Sequence, residues 1–240
     1  MKKLNIALIG YGKMGKEIEK IALERGHFVS LKIDENNSSD LNSENLKNVD
    51  VCIEFTNPKS VIQNIKTCFK NNVPIVSGTT GWINELQNII DLCKNTNKTF
   101  FYASNYSIGV NIFFEINKKL ANLMNFQNEY EIEITEIHHT QKLDSPSGTA
   151  ITIANQIIEN IDRKSAWKES QKVDSNEIKT TALRQENVTG THIINYISEI
   201  DEIEIKHVAN NRKGFAIGAV LAAEFIAGKN GYFTMSDMLK

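Results

Sequence analysis

The first fifteen residues limit the fold more than any other stretch. Residues 4–9 are a short apolar run, and Gly10, Tyr11, Gly12, Lys13, Met14 and Gly15 follow directly. Helical spacing comes next, with Ile18, Ile21 and Ala22 on one face and Gly26 as the stop. Glycines in the order G-x-G-x-x-G between a strand and a helix meet three needs. Gly10 allows a tight turn, Gly12 lets backbone approach a pyrophosphate, and Gly15 lets the helix pack close to the strand. The helix start then offers N–H groups and the positive end of its dipole to phosphates. Asp34 closes the next apolar run about 20 residues beyond the glycines, where an acidic side chain reaches ribose hydroxyls. The hexapeptide alone is a weak signal; its place in the first β–α turn, with the acid after the second strand, makes it a dinucleotide site. A carboxylate there repels a 2′-phosphate and favours NADH over NADPH. Lys13, in the same loop, offsets part of that repulsion, so NADPH is tolerated.

The alternation continues. Strand signals at 28–33, 49–55, 74–77 and 99–103 are separated by a polar connection at 35–48, a helix from Pro58 to residue 71 and a helix over 85–93. Apolar runs alternating with helices predict a parallel sheet covered on both faces. Near residue 105 the pattern changes. A helix over 110–124 precedes a strand at 129–134 in which acidic and apolar residues alternate, then a helix over 153–161 and strands at 178–183, 192–197 and 203–208. Residues 163–177 read as a loose polar excursion and 215–226 as an apolar helix. The predicted fold class is α/β: an N-terminal Rossmann-type, doubly wound parallel sheet, then a smaller α+β domain with a mixed or antiparallel sheet. The predicted boundaries are 1–105, completed by 212–240, for the dinucleotide-binding domain and 106–211 for the second. One face of the second sheet is left for solvent or another subunit.

Charge narrows the range of partners. With 27 basic and 29 acidic residues the formal net charge is -2, which argues against a surface built to hold nucleic acid or an anionic membrane. The start resembles a signal peptide only superficially, because the apolar run is short and ends in glycines. No stretch approaches the roughly 20 apolar residues needed to span a bilayer. Cys52, Cys68 and Cys93 show no CxxC spacing, so neither a disulfide framework nor a zinc knuckle is expected. The expectation is a soluble, cytoplasmic protein.

Residues 136–150, EIHHTQKLDSPSGTA, carry the chemistry. His138, His139 and Lys142 bring three proton-handling or cationic groups into one stretch after a strand, and a turn leads to Ser147, Gly148 and Thr149 at the opening of a helix. A helix start with N–H groups and a hydroxyl is a ready carboxylate site, and nearby histidine and lysine add charge-assisted hydrogen bonds and a proton. The set suits a small dicarboxylic substrate whose reduction needs one hydride and one proton. Taken alone, the same segment would also fit an exposed polar loop with incidental histidines. Metal binding by the adjacent histidines is not expected, because neighbours on an extended chain point to opposite sides and no HExxH spacing is present. Gly78, Thr79, Thr80 and Gly81 follow the fourth strand at the carboxyl edge, where ligands bind in such sheets.

Residues 136–150 match at every fixed position the E-x-H-H-x-x-K-x-D-x-P-S-G-T-A signature of the dihydrodipicolinate reductases, and the chain resembles that family across nearly its whole length. GYGKMG resembles the family's cofactor loop, GTTG its nicotinamide-side loop and ASNYSIGVN its interdomain crossing. RQENVTGTH is similar to the family's R-x-G-x-x-x-G-x-H segment, but Glu186 stands where glycine is usual, and the loops at 35–48 and 163–177 are abbreviated. The resemblance implies that His138 is the acid/base residue and Lys142 the proton donor, with His139, Gly148 and Thr149 on the substrate carboxylates. It also implies cofactor contacts from Gly10, Tyr11, Gly12, Lys13, Met14, Gly15, Asp34, Gly78, Thr79, Thr80, Ala103, Ser104, Asn105 and Tyr106. The reaction implied is reduction of the cyclic dicarboxylate made from pyruvate and aspartate semialdehyde, by a homotetramer joined through the second domain's sheet.

Two other readings share part of these features. Another two-domain amino-acid dehydrogenase, such as an aspartate dehydrogenase, would share the cofactor half but lack the full 138–150 run. A nicotinamide-sensing protein with a decayed site is disfavoured by the intact His138, Lys142, Gly148 and Thr149 set. Of the remaining histidines, His27 reads as structural, and His192 and His207 as packing or subunit contacts. Arg184 could meet a substrate or a neighbouring subunit.

Overall fold

A computed structural model describes residues 2–240 and divides them into two compact units. One contains the residues up to Ile108 together with Lys213–Lys240; the other is Gly109–Arg212. The first unit alternates β1 (Asn5–Ile9), α1 (Lys13–Glu24), β2 (Phe28–Ile33), α2 (Ser43–Leu46), β3 (Val51–Glu54), α3 (Val61–Lys70), β4 (Ile75–Ser77), α4 (Leu86–Asn95) and β5 (Thr99–Tyr102). Helix α5 (Ile108–Met124) leads into the second unit. There follow β6 (Glu131–His138), α6 (Gly148–Asn160), β7 (Ala166–Lys168), β8 (Glu177–Arg184), β9 (Gly190–Ile197) and β10 (Glu202–Ala209). Helix α7 (Lys213–Ile226), β11 (Gly231–Phe233) and α8 (Met235–Met238) belong to the first unit again.

The first sheet has the order β11-β5-β4-β3-β1-β2, with every neighbouring pair parallel. Its central strands are buried on both faces, which is why they read as unbroken apolar runs. Ile6 and Leu8 of β1 point into a core with Ile18 and Ile21 of α1 and Ala219, Val220 and Ala223 of α7. Ala7 and Ile9 point the other way, to Val61, Ile65 and Phe69 of α3 and Ile89 of α4. The strand order reverses between β1 and β3, and ligands bind such sheets at the crevice that the reversal opens at the carboxyl ends.

The second sheet, β10-β9-β6-β8-β7, is mixed. β10/β9 and β9/β6 are antiparallel, while β6/β8 and β8/β7 are parallel. Ile132 and Ile134 of β6 face a core with Phe113 and Met124 of α5 and Ile153 and Ile157 of α6. The opposite face of β6 carries Glu133, Thr135 and Ile137, all half-buried.

Several elements differ from the sequence expectation. The 35–48 connection contains α2, started by the Asn42 side chain accepting from Glu44 and Asn45 N–H. The 163–177 excursion contains β7, an edge strand paired with β8. Residues 58–60 form a turn, so α3 starts at Val61 rather than Pro58. Strand β6 runs through to His138, beyond the expected end at residue 134, while α6 opens at Gly148, as the Ser-Gly-Thr segment implied, and is already helical before the apolar pattern at 153–161. At Glu186 the missing glycine costs no strain, since the positive φ of that turn falls on Asn187, at 62°.

Candidate active site

In the first unit the glycine loop follows β1 and opens α1. Gly10 has φ 95°, and a Cβ there would meet the Phe55 carbonyl oxygen at 2.0 Å; at Gly15 it would meet the Gly10 carbonyl oxygen at 2.3 Å. Nothing lies within 4 Å of where a Gly12 Cβ would be, so the loop backbone is open at that point. A cavity of about 600 Å³ adjoins it, lined among others by Tyr11, Gly12, Asp34, Asn36, Thr56 and Asn57. That volume, an open glycine and a helix start fit one end of a dinucleotide. Asp34 is exposed on the rim, and its Oδ1 accepts from the Asn36 N–H at 2.8 Å. Lys32, two residues earlier, is paired with Glu19 at 2.5 Å, and the Tyr11 hydroxyl donates to the same carboxylate.

Of the other sequence-predicted cofactor residues, Lys13 and Met14 begin α1, while 78–80 and 103–106 follow β4 and β5 at the same carboxyl edge. None of these lines the cavity beside Asp34. Thr80 and Ser104 are exposed, Gly78 and Asn105 half-buried. The side chains of Thr79 and Tyr106 turn inward: the Tyr106 hydroxyl donates to the Ser77 carbonyl at 2.7 Å, and Thr79 Oγ1 to Glu54 at 2.9 Å. Glu54 was not anticipated from sequence. It is fully buried at the end of β3, accepting also from Ser77 Oγ at 2.6 Å and from Thr56 N–H at 3.1 Å. Burial raises its pKa above the usual carboxylate range, against the pull of those donors. A single side chain thus ties the ends of β3 and β4 at the edge where the loops leave.

In the second unit the chemistry gathers where β6 ends and α6 begins. Strand alternation places Glu136 and His138 on the buried face with Ile132 and Ile134. Glu136 Oε1 accepts from the Ser147 N–H at 3.0 Å and from Arg184 Nη1 at 3.3 Å. Its Oε2 lies 3.3 Å from His138 Nδ1 and 3.8 Å from His192 Nε2. His192 is the direct cross-strand partner of Glu136 on β9, and its Nε2 is 3.2 Å from Ser147 Oγ. The His138 and His192 rings meet edge to face at 5.1 Å.

Electrostatics separates these groups. Burial works to raise the Glu136 carboxyl, but His138 and Ser147 outweigh it and hold the group down at about 2. Burial, and then the neighbouring His138, push His192 down to about 4, so that ring is neutral near pH 7. Ligand-type atoms of Glu136, His138 and His192 all lie within 4.8 Å of one another. Arg184, 3.3 Å from Glu136 Oε1, competes with any cation for that carboxylate.

Ser147 caps α6, its Oγ accepting from the Ala150 N–H at 3.2 Å. The first-turn N–H groups of Gly148 and Thr149 are left without intrahelical acceptors. Lys142 reaches both oxygens of Asp144, at 2.8 and 2.9 Å, while Arg184 Nη2 donates to the Asp144 carbonyl at 2.7 Å. The Lys142 ammonium also keeps the Asp144 carboxyl below the usual range. His139 is half-buried, with Nδ1 unpaired. Sequence reading therefore placed His138, His139, Lys142, Gly148 and Thr149 on one connection, but missed that Glu136, Arg184 and His192 join them. The available signal was the acid at an inward position of β6.

Comparisons with known proteins point to one group. Two family descriptions, "Dihydrodipicolinate reductase, N-terminus" and "Dihydrodipicolinate reductase, C-terminus", match residues 4–106 and 109–239. A protein of Christiangramia forsetii named 4-hydroxy-tetrahydrodipicolinate reductase is 50% identical over 237 residues, 98% of each chain. Among solved structures, the dipicolinate-bound dihydrodipicolinate reductase of Paenisporosarcina sp. TG-14 superposes with a TM-score of 0.77 at 24% identity, covering 97% of this chain and 98% of that one. An aspartate dehydrogenase from Thermotoga maritima shares the fold at a TM-score of 0.50 and 16% identity, over 95% and 98% of the two chains. With both halves matched and a curated relative half identical end to end, the chain belongs to the dihydrodipicolinate reductase family.

Proposed function

We propose that this chain reduces 4-hydroxy-tetrahydrodipicolinate to tetrahydrodipicolinate with NADH, on the way to diaminopimelate and lysine. The observation that carries the reading is the convergence of His138, Lys142 and the α6 start on one β6–α6 connection, in a chain whose other unit has a dinucleotide loop. The name of the Christiangramia forsetii relative supports the substrate, and the dipicolinate in the Paenisporosarcina structure supports a small aromatic-like dicarboxylate.

The first-turn N–H groups of Gly148 and Thr149, with His139, bind the substrate carboxylates. Bound reduced nicotinamide supplies the hydride. Once the substrate's 4-hydroxyl has left as water to give the conjugated imine and the hydride has reached its ring carbon, Lys142 stabilises the negative charge that develops on the ring and then gives it a proton. Asp144 holds that ammonium in place meanwhile, and His138 serves as the acid/base group beside it. On the coenzyme side, Asp34 faces the cavity and Lys32 is neutralised by Glu19, which favours NADH, with Lys13 of the glycine loop offsetting part of the repulsion so that NADPH is tolerated. The protein works in the cytoplasm as a homotetramer joined through the outward face of the second sheet, which light scattering of purified protein would test.

The decisive assay mixes the protein with NADH and freshly condensed substrate and follows nicotinamide absorbance. Turnover is expected; folded protein inert with both coenzymes would refute the proposal. His138→Ala and Lys142→Ala should each lower kcat by roughly 100-fold or more, with coenzyme affinity little changed. Near-normal kcat in either variant would reject its role.

A further inference from the structure

A buried carboxylate with no place in the reaction just described is the hub of the second unit's polar cluster. Glu136 is 0% exposed. One of its oxygens has two donors, Ser147 N–H and Arg184 Nη1. The other, Oε2, has no aligned hydrogen bond, and neither has His138 Nδ1, 3.3 Å away. Two buried polar atoms kept apart would each carry a desolvation penalty, and mutual pairing removes both. His192 cannot take His138's place: it is farther, at 3.8 Å, and its Nε2 faces Ser147 Oγ. Because burial holds it neutral, it brings no cation to the carboxylate.

We propose that Glu136 is the positioning residue of this site, holding His138 by Nδ1 while fixing the start of α6 through the Ser147 N–H. One side chain then sets the relative place of the proton-handling ring and the carboxylate-binding turn. With Nδ1 held, the other ring nitrogen occupies the space left by the absent side chain of Gly190, where a Cβ would lie 3.0 Å from His138 Nε2. Arg184, reaching from β8, balances the carboxylate's charge, so the cluster stays near neutrality in the interior when His138 is uncharged. The charged and titratable groups around the pair are Arg184 on β8, His192 on β9, His207 on β10, and Lys142 with Asp144 in the connection. The first residues of α6 contribute none.

This inference rests on the proposed catalytic part of His138 only for its consequence in turnover, so its test reads the ring itself. Histidine NMR of the full chain would follow the His138 titration in the wild type, Glu136→Gln and Glu136→Asp. The Gln variant keeps an acceptor for Ser147 N–H but removes the charge, so the His138 midpoint should fall by roughly one pH unit or more. Glu136→Asp keeps the charge one methylene farther away and should fall less; it also serves if the Gln variant does not fold. The pH profile of kcat should move with the NMR midpoint. An unchanged His138 midpoint in a folded variant overturns the inference, whatever happens to activity. A shifted midpoint alongside normal turnover in His138→Ala would leave the positioning intact and remove the catalytic role.

Discussion

At the scale of single residues, the site depends on contacts that leave little slack. His138 lies against the bare Cα of Gly190, so Gly190→Ala must push the ring or its strand by a few tenths of an ångström. Misplaced reacting groups are costly, and kcat should fall roughly 10-fold or more while the dissociation constant for NADH, measured by fluorescence, stays put. An equal loss in both would mean general damage instead of a displaced ring. His192 makes a separate prediction in pH. Its folded value of about 4 lies below the free-histidine value of about 6.5. Between those limits the unfolded chain binds a proton that the folded chain refuses, so stability rises with pH through that window and is flat below it. Urea unfolding at about pH 5 should show roughly 1–2 kcal/mol less stability from this group than at about pH 7. His192→Asn should flatten that difference. Glu136 acts lower: with a folded value of about 2, its stabilisation is complete above about pH 4.5 and fades as pH falls toward 2.

At the scale of elements, the start of α6 does two jobs that substitution can separate. Ser147→Ala removes the Oγ cap but keeps the backbone N–H for Glu136, so it should cost about 1 kcal/mol of stability by denaturant unfolding. Thr149→Val keeps the cap and the backbone N–H but removes the hydroxyl at the proposed carboxylate site, and should instead raise KM roughly 10-fold, with kcat near normal; an effect confined to kcat would argue against a carboxylate contact by that hydroxyl. Legibility in the sequence also divides by element. The central strands β1, β3, β4 and β5 of the first sheet were readable because burial on both faces leaves an apolar run, and the glycine loop because its sterics admit few other residues. The short edge strands β7 and β11 were not, since three residues beside a single partner carry too little pattern. His138, Lys142 and the helix start were visible because they share one stretch of chain. Glu136, Arg184 and His192 come together through register, with Glu136 opposite His192 and His138 opposite Arg184. Pairing of that kind is a tertiary fact that a linear pattern does not contain.

At the scale of the whole molecule, the two units have separate cores, and Asp34 and the glycine loop belong to only one of them. NADH alone should therefore slow amide hydrogen exchange in β1, α1 and β2 more than in β6, β8 and β9. Uniform protection would count against a coenzyme site confined to the first unit. The first unit is also interrupted: α7 supplies one side of its core and β11 its edge, and both are made after the entire second unit. During synthesis, a ribosome that has finished β5 has released a sheet whose apolar flank, on this face, is covered by α1 alone. The inserted residues, contiguous in the chain, can mature first, and the nucleotide-binding half must wait for the final helix to emerge. Premature termination anywhere in α7 would thus abolish coenzyme capture, although every residue proposed to touch the coenzyme had already been translated.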